Sequence, residues 1–210
     1  GYRVLNSWAA GSRNIGIGTE ALRIVTTGQF NLGIGGSAGG NLTTGQRNIH
    51  LGYASYGAST GADNISLGHS SMTASVTGNQ NIALGKTAGY SLTSGSDNYG
   101  IGTGSLYTLT TGSNNISFGY YAGQGITTGS QNTCIGRQAC NDLTTGSDNL
   151  CIGDYAGDSL TTGSNNTCIG HDALPSSATV SNEITLGSTN VTKFRIPGIN
   201  FVLKDNGGTP

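Results

Sequence analysis

Glycine returns along this chain at a fixed interval, and that interval constrains the fold more than any other feature of the sequence. The Gly closing each short apolar stretch stands at Gly18, Gly35, Gly52, Gly68, Gly85, Gly102, Gly119, Gly136, Gly153, Gly170 and Gly187, in steps of 17 with one step of 16 between Gly52 and Gly68. Four residues before the first ten stands an Asn: Asn14, Asn31, Asn48, Asn64, Asn81, Asn98, Asn115, Asn132, Asn149 and Asn166. A second Gly opens each unit, from Gly11 and Gly28 through to Gly163, and the eleventh unit is degenerate, with Glu183 in the Asn position. A period of this kind marks an array of one supersecondary unit whose terminal copies are atypical.

Within the unit, apolar and small residues alternate, as in Ile15-Gly16-Ile17, Ile65-Ser66-Leu67, Ile82-Ala83-Leu84 and Ile116-Ser117-Phe118. Period-two alternation predicts a strand with one face buried. A Leu-Thr-Thr-Gly turn closes units at Leu109–Gly112, Leu143–Gly146 and Leu160–Gly163, and no stretch carries a helix pattern with caps. Seventeen residues are too few for a propeller blade or a leucine-rich repeat with its helix. The expectation is an all-β chain, a parallel β-solenoid or β-roll of about ten 17-residue coils, each with two short strands and two turns. Stacking at ~4.8 Å brings equivalent residues into columns. The ten Asn residues then form an amide ladder, and Cys134, Cys151 and Cys168 become stacked, buried free thiols. The strand positions Ile17, Ile34, Leu51, Leu67, Leu84, Ile101, Phe118, Ile135, Ile152 and Ile169 are expected to supply the coil core. The 16-residue unit should show one tightened turn on the side away from the ladder.

Composition bears on what the chain does. Gly accounts for 37 of 210 residues with only 3 Pro, which excludes collagen, and apolar residues at fixed spacing argue against disorder. A formal net charge of −1 gives no reason to expect nucleic acid as a partner, and no apolar run reaches the ~20 residues of a membrane helix. No CxxC pair occurs among the four cysteines, so a zinc site is not expected. Residue 1 is Gly with no signal peptide before it, so a fragment or a processed product is expected, and Gly1-Tyr2 fits the tail of a preceding unit.

Candidate chemistry is sparse. Gly85-Lys86-Thr87 echoes a phosphate loop, but Gln80 stands where its leading Gly belongs. His50, His69 and His171 fall on different coils and make no ligand cluster. Asp142, Asp148, Asp154, Asp158, Asp172 and Glu183 occupy a stretch with no Lys or Arg, where paired carboxylates could serve a glycosidase or Ca²⁺. Their simpler reading is solubility and protection against lateral pairing. Neither catalytic nor metal residues nor a cofactor are assigned. Tyr53, Tyr120, Tyr121 and Tyr155 follow the strand-ending Gly, and Tyr56, Tyr90 and Tyr107 lie a few residues on. Aromatic faces at such corners suit stacking on a glycan, with packing between subunits as the competing role.

The strand motif Asn-x-x-[Ile/Leu]-Gly resembles head repeats of trimeric autotransporter adhesins. The fuller phrase Leu-Thr-Thr-Gly-Ser-x-Asn-x-x-Ile-Gly-x-x-Ala-Gly is more similar to repeats of bacteriophage tail-fibre proteins, over about residues 11–195. The segment from Asn182 to Gly187 and on through Val191-Thr192-Lys193-Phe194-Arg195 is similar to the end of such repeats, which often precedes a cleaved intramolecular chaperone. The resemblance implies a β-prism of three copies around one axis, located in a virion, contacting a host surface glycan or protein receptor and adjacent fibre segments. It implies no nucleic acid and no membrane insertion. The alternative is a bacterial trimeric surface adhesin on the cell surface. Two further readings are an ice-binding solenoid, prompted by the Thr-Thr pairs, and a glycan-cleaving spike. Adjacent Thr residues in turns do not make a flat array.

Two units are expected: a repeat section over 1–187 and a non-repeat connector over 188–210. The apolar stretch Phe194–Leu203 should leave the coil and pack with its counterparts from two other chains. So thin and Gly-rich a coil favours association with its own copies, which predicts a parallel homotrimer. Ala122, Ala139 and Ala156 are expected to lie towards the neighbouring chain, because small side chains let backbones approach.

Overall fold

The computed structural model describes residues 13–55 and 59–193. Its eleven strands are β1 (Ile15–Ile17), β2 (Leu32–Ile34), β3 (Ile49–Leu51), β4 (Ile65–Leu67), β5 (Ile82–Leu84), β6 (Tyr99–Ile101), β7 (Ile116–Phe118), β8 (Thr133–Ile135), β9 (Leu150–Ile152), β10 (Thr167–Ile169) and β11 (Ile184–Leu186). They form one parallel sheet in sequence order, each strand paired only with the coil before and the coil after. The fold is all-β, a parallel β-solenoid of about ten coils with no helix among the described residues. Register holds through the short unit, where Leu51 pairs Leu67. The pairing does not locate the expected tightened turn of the short unit, since residues 56–58 lie outside the described residues, and so does the whole of Phe194–Leu203.

Each coil contains one strand of three residues, not the two strands expected. The rest of the circumference is built from turns, and the backbone explains why. Left-handed residues recur before the Asn (Arg47 φ 55°, Asp97 φ 58°, Gln131 φ 60°), two residues after the strand-ending Gly (Tyr121 φ 54°, Tyr155 φ 57°) and two further on (Leu106 φ 53°, Cys140 φ 52°). A β-strand cannot run through such φ values. Stacking nevertheless satisfies the turn backbone from coil to coil: Leu22 N–H donates to Ala38 O (2.9 Å), Thr26 to Thr43 (2.9 Å) and Gly39 to Ser55 (2.8 Å). The glycine that ends the strand is required twice over. Gly18 has φ +130°, and a Cβ there would stand 2.5 Å from the carbonyl oxygen of Gly35 on the next coil.

The Asn side chains make the second continuous ladder. In Asn115, Nδ2 donates to Asn98 Oδ1 (3.0 Å) and to Gly129 O (2.9 Å). Its Oδ1 accepts from the backbone N–H of Asn132 (3.0 Å) and from Asn132 Nδ2 (3.1 Å). All four hydrogen-bonding positions of the amide are filled, with the residue fully buried. The pattern runs from Asn14, through Asn31, to Asn166, whose Oδ1 accepts from the Glu183 N–H at 3.0 Å. Serine hydroxyls add a third ladder beside it: the backbone N–H groups of Ser96, Ser113, Ser130, Ser147 and Ser164 each donate to the Oγ of the next coil's serine.

The interior is filled from the turn side. Leu42, Leu92, Leu109, Ile126, Leu143 and Leu160 stack as one fully buried column, with the Ala38, Ala88, Ala122, Ala139, Ala156 and Ala173 column beside it. A third column alternates large and small: Leu22 with Gly39, Met72 with Gly89, Leu106 with Gly123. The volumes interlock, since a Cβ on Gly39 would lie 2.5 Å from Leu22 Cδ2, and one on Gly123 would lie 3.1 Å from Leu106 Cδ2. Opposite them, the strands contribute only their central residue, such as Ala83, Ser117, Cys134, Cys151 and Cys168. All four cysteines are free and buried. Burial, reinforced by contact with Cys134 and Cys151, pushes the Cys140 thiol well above its usual pKa.

Candidate functional site

The strand geometry reverses the expected inside and outside. Alternation places one residue of each strand in the coil and two outside it, and the two outside are the large ones. Ile17 is 52% exposed, Leu67 46% and Phe118 39%; Ile34, Ile135, Ile152 and Ile169 are also exposed, while Leu51, Leu84 and Ile101 are half-buried. These residues do not supply the coil core as expected. The inward position is too close to the opposite turn for anything larger than a small side chain over most of the stack: a Cβ on Gly33 would already lie 2.9 Å from Leu22 Cγ. The expected role of Ala122, Ala139 and Ala156 is corrected too. They are 0% exposed and line the coil interior, so no neighbouring chain can reach them.

The outcome is a flat face of eleven parallel strands presenting two columns of side chains to the outside. Of its outward positions, Thr133 and Thr167 alone are neither aliphatic nor aromatic, and none is charged. A face so uniformly apolar on a parallel sheet departs from the rule that such sheets are covered on both sides.

Around the corner from that face, immediately after the strand-ending Gly, runs a set of aromatic residues, Tyr120 exposed and Tyr121 and Tyr155 half-buried. Tyr120 and Tyr121 meet edge to face at 4.3 Å. On the following coils the Arg137 guanidinium lies 4.6 Å over the Tyr155 ring, its Nε 3.4 Å from Asp154 Oδ2, and Tyr155 meets His171 edge to face at 6.5 Å. His171 Nδ1 is 3.1 Å from Asp172 Oδ2. Partial desolvation, then the hydrogen bond with Tyr121, hold the Tyr120 hydroxyl above its ordinary pKa. The structure therefore brings Tyr120, Tyr121 and Tyr155 into one strip and adds Arg137, Asp154, His171 and Asp172 to it. Tyr53 lies apart, 64% exposed and stacked on His69 at 5.5 Å. Tyr90 and Tyr107 stack on one another at 4.9 Å in a different column, and Tyr56 is outside the described residues.

Other sequence candidates separate. His50 is buried inside the coil, its Nδ1 3.4 Å from Ser66 Oγ, beside the hydroxyls of Ser55 and Ser71. Its Nε2 has no partner, and burial lowers its pKa to about 4. Burial raises the Asp158 carboxyl above its ordinary range, helped by Asp142 and Asp172. Among the described residues no group of three or more His, Cys, Asp or Glu could hold a metal ion, and no helix could cross a membrane. The threonine hydroxyls are engaged within the stack, Thr110 Oγ1 donating to Thr127 O (3.0 Å) and Thr144 Oγ1 to Thr161 O (3.0 Å). Comparison with known family models, curated proteins and solved structures finds no match for this chain.

Proposed function

We propose that this chain is a structural and adhesive section of a viral tail fibre, assembled as a parallel homotrimer and taking part in attachment to the host surface. One observation carries the assembly: the apolar outer face of the eleven-strand sheet. With full burial of an aliphatic side chain removing on the order of 100 Å², partial exposure of some twenty such side chains leaves roughly 800 Å² or more to cover per chain. That equals one partner's share of a standard stable interface, ~800 Å². The best-matched cover is another copy of the same face, because only a second copy repeats every coil with the same residue type. Parallel alignment keeps every coil level with its equivalents, and closed symmetry lets each copy be covered without propagating a sheet.

The fibre role fits a rod whose strand backbone and buried Asn ladder are satisfied by stacking and whose length scales with coil number: ten steps of ~4.8 Å give roughly 50 Å. Sedimentation equilibrium of the 210-residue chain tests the assembly. Three times the chain mass is expected, and Phe118→Asp combined with Ile135→Asp should reduce it to one while the parallel-β signal persists. A folded wild-type monomer at micromolar concentration would refute the proposal.

A further inference from the structure

A few positions of the repeat, the ladder Asn and the strand-ending Gly above all, hold one residue type through nearly every coil because the coil needs them. The two positions after the strand-ending Gly differ from coil to coil, and they gather reactive and ring-bearing side chains: Tyr120, Tyr121, Arg137, Asp154, Tyr155 and His171 on four consecutive coils. The fold gives no reason for that choice, since Thr19, Gly36 and Ser37 occupy the same two positions elsewhere. We propose that this edge, from Tyr120 to His171, is a saccharide-binding strip that takes neutral or amino-bearing sugar chains in preference to anionic ones. The proposal deepens the attachment reading by naming where on the chain, and to what chemistry, contact is made.

Three features point to sugar. Tyr120 is 51% exposed, and its ring belongs to a series of aromatic groups that offer apolar faces with polar edges, the surface a pyranose ring stacks on. Arg137 is held in place by its stack on Tyr155 and its ion pair with Asp154, so its other N–H donors are presented from a fixed plane. Asp154 and Asp172 supply carboxylate acceptors for hydroxyl groups at the same edge. Coil stacking spaces these groups at ~4.8 Å per step, which suits an extended chain of repeating units. Charge sets the selectivity. From residue 138 to residue 192 there is no Lys or Arg, while Asp154, Asp158 and Asp172 lie in that stretch and Arg137 is already paired. A sulfated or uronic chain would meet carboxylates with no free cation to receive it; an amino sugar would meet its counter-charge.

The test is saturation-transfer NMR on the full 210-residue chain with three probes of equal length: a chito-oligosaccharide, its N-acetylated form and a sulfated glucan oligosaccharide. Saturable binding of the first two is expected, with little transfer to the third. Tyr120→Ala with Tyr155→Ala should weaken binding roughly tenfold or more, at a few-fold per ring. Tyr53→Ala, remote from the strip, should leave it unchanged. No saturable binding of either the amino or the N-acetyl probe up to about 10 mM overturns the proposal. So does equal or tighter binding of the sulfated probe, or wild-type affinity in the double Tyr variant. Sedimentation of the same samples separates the two readings, because the strip lies off the apolar sheet face. A trimer that binds no sugar sinks the strip alone, and a monomer that binds sugar sinks the assembly alone.

Discussion

Replacing Asn115 by Ala should divide the stack near its middle. The substitution removes both donations, to Asn98 Oδ1 and Gly129 O, and the acceptor for the Asn132 N–H and the Asn132 side chain. Asn98 Oδ1 keeps the Asn115 backbone N–H at 3.1 Å, and Asn132 Nδ2 keeps Gly146 O at 2.9 Å. That leaves the Gly129 carbonyl and the Asn132 N–H stranded in a buried column. At ~1–3 kcal/mol for each unsatisfied group the cost is about 3–5 kcal/mol, a large part of the 5–15 kcal/mol that holds an ordinary domain together. Asn115→Asp should be at least as damaging. A carboxylate accepts but cannot donate, and its second oxygen would face two other acceptors. Asn165→Ala provides the control: that side chain is exposed and donates to Asn182 Oδ1 at 2.8 Å, so its loss should cost only about 1 kcal/mol, most of it from placing Ala at the left-handed φ of 58°. Urea unfolding followed by far-UV circular dichroism measures all three. An Asn115→Ala cost below ~1 kcal/mol, or an Asp variant as stable as wild type, would refute the ladder as a source of stability.

Three further outcomes follow from single positions. Gly119→Ala should cost ~2–4 kcal/mol, because φ is +142° and the new Cβ would meet the Gly136 carbonyl, whereas Gly89→Ala, with 3.4 Å to the nearest atom, should cost about 1 kcal/mol; thermal melts compare them. His50 is neutral in the folded chain with a pKa of about 4, below its unfolded value near 6.5, so the unfolded state binds the proton first. Stability should be full above pH ~6.5 and fall by about 3 kcal/mol as the pH drops towards 4; the urea midpoint against pH should lose that slope in His50→Gln. Cys134, Cys140, Cys151 and Cys168 should resist a soluble thiol reagent until the coils unfold, and rapid labelling of the native chain would contradict their burial.

The register of this fold was legible because stacking demands it: an Asn and a Gly that must meet their own kind on the next coil cannot drift, and strand pairing follows the sequence spacing. What alternation could not reveal was which side of the strand faces in. Ile116-Ser117-Phe118 has the same period whether Ser or the larger pair is buried, and a solitary chain suggests the larger pair. Two signals pointed the other way. Gly16, Gly33 and Gly100 cannot fill a core, and Leu22/Gly39 and Leu106/Gly123 alternate in size as interlocking interior layers do. The second strand failed for a different reason: left-handed φ at residues such as Leu106 and Tyr121 is set by the turn and leaves little trace in residue type. The aromatic corner was half visible. Tyr120, Arg137, Asp154 and His171 are spaced by 17, so the column was there to be read, but the stacking of Arg137 on Tyr155 depends on side-chain direction.

Cysteine accessibility tests the outward face most directly. In a background with Cys134, Cys140, Cys151 and Cys168 replaced by Ala, a single thiol is placed by Ile135→Cys, on the sheet face, or by Tyr120→Cys, on the corner. Both side chains are exposed on the lone chain, at 37% and 51%. The account predicts that the Tyr120→Cys thiol reacts at once in the native protein, while the Ile135→Cys thiol is protected until Phe118→Asp separates the chains without unfolding them. Equal labelling of the two thiols in the native wild-type assembly would contradict it.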